Sequence, residues 1–88
     1  MAVKFSRHAH EQMLLRGIAY ETVNDVVSFP EQTIVDKEEP TKIIYQSLIN
    51  ENNNTFLLRV FVDIGKQPNV IITVYKTTKI SKYYEVKI

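Results

Sequence analysis

The sequence predicts an α+β domain in which two N-terminal helices pack on one face of a four-stranded antiparallel sheet. Apolar residues recur at helical spacing as far as Ser28, and from Glu31 onward they alternate with polar residues at the spacing of strands. A chain of 88 residues has the length of one domain. We therefore expect residues 1–88 to form a single α+β domain.

The first helix is predicted to begin after Ser6 and to end at Arg16. Ser6 is a favourable N-cap, and Gly17 suits the left-handed conformation that commonly follows a helix. A polar row of His8, Gln12 and Arg16 lies at the border of its apolar side, where a side chain can reach a neighbouring element. That apolar side is formed by Phe5, Ala9 and Met13.

A second helix is predicted from Tyr20 to Ser28, because Val23, Val26 and Val27 form an apolar side and Pro30 prevents continuation. Four strands follow, over residues 33–35, 42–49, 55–63 and 70–75. The third strand alternates strictly, with its apolar face formed by Phe56, Leu58, Val60 and Val62.

This alternation predicts what the far face of the sheet carries. If the apolar face of the third strand meets the helices, Arg59 points away from them. A simple hairpin about Asn52 sets Tyr45 opposite Arg59, and an even register with the last strand adds Thr73 and Tyr75 to the same face. Arginine, tyrosine and threonine on an open sheet face are a plausible nucleic-acid platform.

Composition excludes several classes of protein. A hydrophobic content of 44% is typical of a globular domain, and the absence of cysteine excludes disulfide frameworks and cysteine zinc sites. No stretch approaches the roughly 20 apolar residues of a membrane span and no signal peptide precedes Phe5, so we expect a cytoplasmic protein that does not contact membrane.

The net charge of +1 conceals an uneven distribution. Basic residues dominate at both ends of the chain, and acidic residues dominate from position 21 to 40. A fold that joins the two basic ends would form a positive groove that attracts phosphates, whereas two separate solvated ends would not.

Histidine is the first candidate for acid–base chemistry. His8 has a suitable ordinary pKa, but on residue type alone a surface or capping role is the more common one for a helix histidine. His10 points away from His8 on the helix, so the two cannot chelate one metal ion. We assign no metal site and no cofactor.

Arg59 and the C-terminal segment are the other candidates. An arginine among apolar strand residues needs a carboxylate or a phosphate, so Arg59 either pairs with Asp63 on the same face or binds an anion. Residues 79–83 interleave aromatic rings with lysines, which suits base stacking combined with phosphate contact, although a solvated terminal segment is the alternative.

Two segments together resemble a known family: FSRHAHEQMLLRGI at residues 5–18 and TVYKTTKISKY at 73–83. They are similar to a family of small bacterial domains of unknown function with an F-S-x-H-A…R-G-I start and a T-V-Y-K-T-S-K-I-x-K-Y end. Tyr45-Gln46 and residues 58–63 also fit, and Thr78 stands where that family often has serine. This family resembles the RelE- and BrnT-like ribonuclease toxins of the barnase–EndoU–colicin–RelE group.

The resemblance implies a RelE-like domain that is the toxin of a type II toxin–antitoxin system. Such a toxin is a metal-independent endoribonuclease, in which a ribose 2′-hydroxyl attacks the adjacent phosphate and leaves a 2′,3′-cyclic phosphate. The implied partners are RNA and a cognate antitoxin protein. The alternative is a non-catalytic RNA- or protein-binding module on the same scaffold.

The resemblance also implies roles for individual side chains. His8 would be the acid or base, Arg16, Arg59 and Lys82 would stabilise the phosphate, Thr78 would orient it, and Tyr83 would contact a base. The expected RNA-binding residues around them are Tyr45, Tyr75, Lys76 and Lys79.

Overall fold

A computed structural model of the chain describes residues 3–85, and within them a five-stranded mixed sheet is combined with three helices. The elements are β1 (Val3–Phe5), α1 (Arg7–Arg16), α2 (Tyr20–Ser28), β2 (Gln32–Val35), β3 (Lys42–Glu51), β4 (Asn54–Asp63), β5 (Asn69–Thr77) and α3 (Ile80–Tyr83). The α+β class and both N-terminal helices agree with the prediction.

The ends of α1 are fixed by the residues that the sequence indicated. The Ser6 hydroxyl accepts a hydrogen bond from the Ala9 N–H at 3.0 Å and donates one to the Ile72 carbonyl at 2.7 Å. Gly17 adopts a φ of 63°, which residues with a side chain rarely adopt. Ser6 therefore both caps α1 and ties its first turn to β5.

The sheet differs from the prediction in its edge. The strand order is β1-β5-β4-β3-β2, and β1 pairs in parallel with β5 while every other pairing is antiparallel. The four predicted antiparallel strands are present as β2 to β5, but the prediction missed β1, because this strand has only three residues, too few to show any periodicity.

The core lies between the two longer helices and one face of the sheet. Helix α1 packs on β5, and α2 packs on β3 and β4. Leu58, Val60 and Val62 of β4 face the helices, as the alternation predicted. They pack with Ala9, Met13, Ile18, Val23, Val26, Val27, Ile71 and Val74.

The β3–β4 turn sets the register of the far face. Asn52 and Asn53 both have positive φ, at 49° and 65°, and they form a two-residue turn between the paired residues Glu51 and Asn54. The predicted hairpin about Asn52 alone is one residue out of register. Because a shift of one residue reverses every side chain, Gln46 lies opposite Arg59, and Tyr45 points to the helix side.

Helix α3 is the second addition to the predicted fold. It is a single turn of four residues that follows β5 and crosses the face opposite α1 and α2, where Tyr83 contacts Arg59 and Gln46. The helices of the described chain are all too short or too polar to cross a membrane.

Candidate nucleic-acid interface

Arg59 lies at the centre of the sheet face that α1 and α2 leave uncovered. It is half-buried in β4, with Gln46 of β3 on one side and Tyr75 of β5 on the other. The prediction that Tyr75 and Thr73 share the face of Arg59 is confirmed by this register. A cation in this position is held by strands on both sides.

Helix α3 brings the C-terminal residues over this arginine. The Arg59 Cζ atom lies 4.3 Å from the centroid of the Tyr83 ring, and the Lys82 Nζ atom lies 5.3 Å from the same centroid. Tyr83 meets Tyr75 edge to face at 6.1 Å. We call these four residues, Arg59, Tyr75, Lys82 and Tyr83, the Arg59 cluster.

The positive charges of the Arg59 cluster are not neutralised by acids of the described chain. Asp63, the possible partner of Arg59, instead pairs with Lys42 at 2.8 Å and accepts the Gly65 N–H. Among residues 3–85, neither Arg59 nor Lys82 forms an ion pair with a carboxylate. The sequence left two alternatives for Arg59, an ion pair with Asp63 or a bound anion. Within residues 3–85 the ion pair with Asp63 is absent.

The Arg59 guanidinium is partly desolvated in this setting. Burial lowers its pKa, and the neighbouring Tyr83 and Tyr75 oppose that shift. An arginine nevertheless stays protonated in proteins. Arg59 is therefore a fixed cation that has lost part of its water, which strengthens its attraction for an anion.

The pKa of Tyr75 is lowered by the same surroundings. A hydrogen bond with Thr77 makes the largest contribution, burial acts against it, and Tyr83, Lys79 and Lys82 lower the pKa further. These groups favour the phenolate, so Tyr75 gives up its proton more easily than an ordinary tyrosine.

The loop between β5 and α3 carries two more of the expected site residues. Thr78 and Lys79 are both exposed, and the Lys79 N–H donates to the Thr77 hydroxyl at 3.0 Å. Lys79 acts on the pKa of Tyr75 through its charge, which puts it at the margin of the Arg59 cluster. The structure thus brings Lys79 to this cluster, together with the loop that carries Thr78.

His8 and Arg16 are on α1, on the other side of the sheet. Both are exposed, and eight residues of helix separate them by about 12 Å. Arg16 lies near the end of β5, because its carbonyl accepts a hydrogen bond from Lys76 at 3.3 Å. The structure does not bring His8 together with Arg59.

Lys76 and Tyr45 also face α1 and α2. The Lys76 ammonium pairs with Glu51 at 3.3 Å and lies over the Phe56 ring, and only 15% of its side chain is exposed. Tyr45 packs against the apolar core. The expectation that Tyr45 shares the face of Arg59 was wrong, for the reason of register given above.

Gln46 is the residue of this site that the sequence reasoning missed. It is completely buried, and its amide accepts from Arg59 Nε at 2.9 Å and donates to the Tyr83 carbonyl at 3.0 Å. The sequence does contain an indication of this role. Gln46 is a glutamine within the mainly apolar run IIYQSLI at residues 43–49, and a polar side chain buried in such a strand must find hydrogen-bond partners.

A cleft of about 780 Å³ lies beside the Arg59 cluster, between β2 and the end of the described chain. Glu31 and Glu85 line it, together with Tyr84. Acidic walls repel phosphate, so the cationic cluster and not this cleft is the candidate for contact with nucleic acid.

The model of one protein family matches residues 5–76, and its description is a domain of unknown function, DUF4258. The match takes in α1, α2 and the sheet from β2 onward, and it ends before α3. Neither the curated proteins nor the solved structures that were compared gave a match to this chain.

Proposed function

We propose that this chain, which belongs to the DUF4258 family of domains of unknown function, is a metal-independent endoribonuclease that acts at the Arg59 cluster. On its resemblance to RelE-like proteins, we further propose that it is the toxin of a type II toxin–antitoxin system in the cytoplasm. Its partners are then RNA and a cognate antitoxin that blocks the cluster.

One observation carries the proposal. Arg59 and Lys82 lie against the same Tyr83 ring, and neither has a carboxylate partner among the described residues. Two cations beside one aromatic ring, neither paired with a carboxylate, attract an anion to the surface between and around them. A phosphodiester between two bases fits, because it supplies the anion and its bases can stack on the exposed part of the tyrosines.

The reaction proposed needs charge stabilisation above all. The 2′-hydroxyl oxygen forms a bond to phosphorus and gives its proton to solvent, while the bond from phosphorus to the 5′-oxygen breaks. Negative charge accumulates on the non-bridging oxygens in the transition state, and Arg59 and Lys82 stabilise it. The products are a 2′,3′-cyclic phosphate and a 5′-hydroxyl end.

Tyr75 is our candidate for the proton donor to the leaving 5′-oxygen. Its pKa is lowered from the ordinary value, chiefly by the hydrogen bond with Thr77, which brings the phenol closer to the range that suits proton transfer. It recovers its proton from solvent after the product leaves. This assignment replaces His8, which lies across the sheet from the cluster.

The remaining expected residues are proposed to bind RNA next to the cleaved phosphate. Thr78 and Lys79 flank the cluster in the loop before α3, where they are open to solvent. Arg16 lies near the end of β5 on the helix side, and its exposed side chain is proposed to contact RNA that passes round this end of the sheet. These contacts would add affinity without taking part in the chemistry.

A test of the proposal is controlled expression in a bacterial host, with growth and the 5′ ends of cellular RNA measured together. We expect the wild type to arrest growth and to produce new 5′-hydroxyl ends. Arg59→Ala and Lys82→Ala should abolish both effects, and Lys66→Ala, which removes an exposed lysine from the β4–β5 loop, should not.

A non-catalytic RNA-binding module is the second candidate. It is favoured by the location of both histidines on α1, on the other side of the sheet from Arg59. This module would bind RNA with the same dependence on Arg59 and Lys82 but would leave no new RNA ends. RNA binding by the purified wild type, combined with no new 5′ ends in the expression experiment, would select it over the nuclease.

A further inference from the structure

The amide of Gln46 connects the cation of the Arg59 cluster to the C-terminal segment. Its Oε1 accepts from Arg59 Nε at 2.9 Å, and its Nε2 donates to the Gln32 Oε1 at 2.7 Å and to the Tyr83 carbonyl at 3.0 Å. The side chain is fully buried, so solvent offers no substitute for these partners.

The series of hydrogen bonds continues from Gln46 to Gln32. The Gln32 Oε1 accepts from the Glu85 N–H at 3.1 Å, and the Gln32 Nε2 donates to the Glu85 carbonyl. The Gln32 side chain therefore pairs with the backbone of Glu85 in the manner of a neighbouring strand. We call the chain of hydrogen bonds through Arg59, Gln46 and Gln32 to the backbone of Tyr83 and Glu85 the amide relay.

The direction of every bond in the amide relay is fixed by its ends. The arginine Nε can only donate, and the carbonyl oxygens of Tyr83 and Glu85 can only accept. Gln46 must therefore turn its oxygen to Arg59 and its nitrogen to Tyr83 and Gln32. One arrangement satisfies the whole set, which makes the network stiff.

Helix α3 depends on such contacts because it has little packing of its own. It is one turn of four residues, and none of them is buried. A helix this short is not stable by itself in water. Its position over the sheet comes from the Tyr83 ring contacts and from the amide relay.

We propose that Gln46 is a positioning residue that holds Arg59 and Tyr83 in the stacked arrangement which binds RNA. This inference rests on the proposed function. The single amide fixes the Arg59 guanidinium through Nε and leaves both Nη groups outside the relay, where they form the fork that arginine uses for phosphate. It fixes the Tyr83 backbone at the same time, so the ring stays against the cation.

Substitutions at Gln46 separate these two effects. Gln46→Glu keeps an acceptor for Arg59 but cannot donate to Tyr83 or Gln32, and it adds a negative charge beside the guanidinium. Gln46→Met has a similar length and removes the whole relay. Gln32→Met removes only the outer half of the amide relay, which is the bond from Gln46 to Gln32 and the two bonds from Gln32 to the Glu85 backbone. Gln12→Met, on α1, is the matched control for replacing a glutamine.

The first arm of the test needs no RNA. Proton exchange of the Arg59 Nε–H with solvent is measured by NMR, and ionisation of Tyr75 is followed by absorbance. We expect Gln46→Met to speed the exchange and to raise the pKa of Tyr75 towards 10.0, because Tyr83 and Lys82 leave it. Gln46→Glu should slow the exchange relative to Gln46→Met but should raise the pKa likewise.

The second arm measures binding to a fluorescently labelled, single-stranded RNA oligonucleotide of mixed sequence. We expect Gln46→Met to weaken binding roughly tenfold, as expected for the loss of a hydrogen bond to a charged group. In a double-mutant cycle with Tyr83→Leu, the double variant should bind about as weakly as Tyr83→Leu alone. Gln12→Met should bind as the wild type does.

Three results would overturn the role of Gln46: additive effects in the cycle, Arg59 exchange unaltered in folded Gln46→Met, or wild-type binding by both Gln46 variants. If Gln46→Met does not fold, Gln46→Glu supplies the comparison at this position, and Gln32→Met, at a half-exposed position, tests the outer bonds of the amide relay by themselves. Failure of the wild type to bind or cleave RNA would overturn the proposed function, and the first arm would still show whether the amide relay orders Arg59.

Discussion

The ring of Tyr83 lies over the guanidinium of Arg59, with 4.3 Å between the Cζ atom and the ring centroid. The two residues are far apart in sequence, and they meet because α3 crosses the sheet face that carries Arg59. Their contact turns a strand arginine and a terminal tyrosine into one surface that is both cationic and aromatic.

Replacing Tyr83 tests that surface. Tyr83→Leu should weaken binding of single-stranded RNA by about 1 kcal/mol or more, because it removes both the stacking ring and the cation–π contact. Tyr83→Phe keeps the ring and should stay within about 0.5 kcal/mol of the wild type. Equal losses for the two variants, measured by fluorescence anisotropy, would mean that the hydroxyl and not the ring is recognised.

The salt dependence of RNA binding tests the role of Lys82. Each phosphate contact releases condensed counterions, so Lys82→Ala should reduce the slope of log K against log salt concentration by about 0.7 for a single strand. Lys66→Ala, with its lysine in the β4–β5 loop, is the control and should leave the slope unchanged. An unchanged slope for Lys82→Ala would remove this residue from the interface.

Tyr75 should ionise at a lower pH than Tyr84 when the folded protein is titrated with base. Its pKa lies below 10.0, chiefly through the bond with Thr77, whereas burial raises the pKa of Tyr84. Tyr75→Phe should remove this low-pH step from the absorbance titration, and Tyr84→Phe should leave the step in place.

The same shift has a consequence for stability. A folded pKa below the unfolded one favours the folded state as the pH rises above the folded pKa, and this gain is complete above 10.0 and lost as the pH falls. The free energy of unfolding of Tyr75→Phe should therefore lack this increment at alkaline pH. An identical alkaline profile for wild type and Tyr75→Phe would contradict the assignment.

Ser6 should stabilise the domain and not take part in catalysis. Ser6→Ala removes the N-cap of α1 and the bond to Ile72, and we expect a loss of about 1 kcal/mol or more in the free energy of unfolding. Ser28→Ala, at the exposed end of α2, is the matched control. Denaturant unfolding measures both, and equal stabilities would show that the cap is unimportant.

The sequence was most informative where short-range chemistry decides the structure. Ser6 and Gly17 mark both ends of α1, and strict alternation in β4 identifies which residues face the helices. The position of Tyr75 beside Arg59 follows from the same alternation once an even register is assumed. These features depend on residues that are close in sequence, or on whether a strand position is odd or even and so faces one side of the sheet or the other.

The features that were missed depend on a single residue of register or on distant parts of the chain. Asn52 and Asn53 form a two-residue turn, and nothing in the run of asparagines distinguishes this from a hairpin about Asn52. That difference exchanges Tyr45 for Gln46 opposite Arg59. The amide relay could not be predicted either, because it needs both this register and the path of α3.

The most direct test of the proposed endoribonuclease is to incubate the purified protein with single-stranded RNA in the presence of EDTA and to identify the new ends by mass spectrometry. We predict 2′,3′-cyclic phosphate and 5′-hydroxyl ends from the wild type, and intact RNA with Arg59→Ala and Lys82→Ala. Intact RNA with the wild type, or equal cleavage by wild type and both variants, would contradict catalysis at the Arg59 cluster.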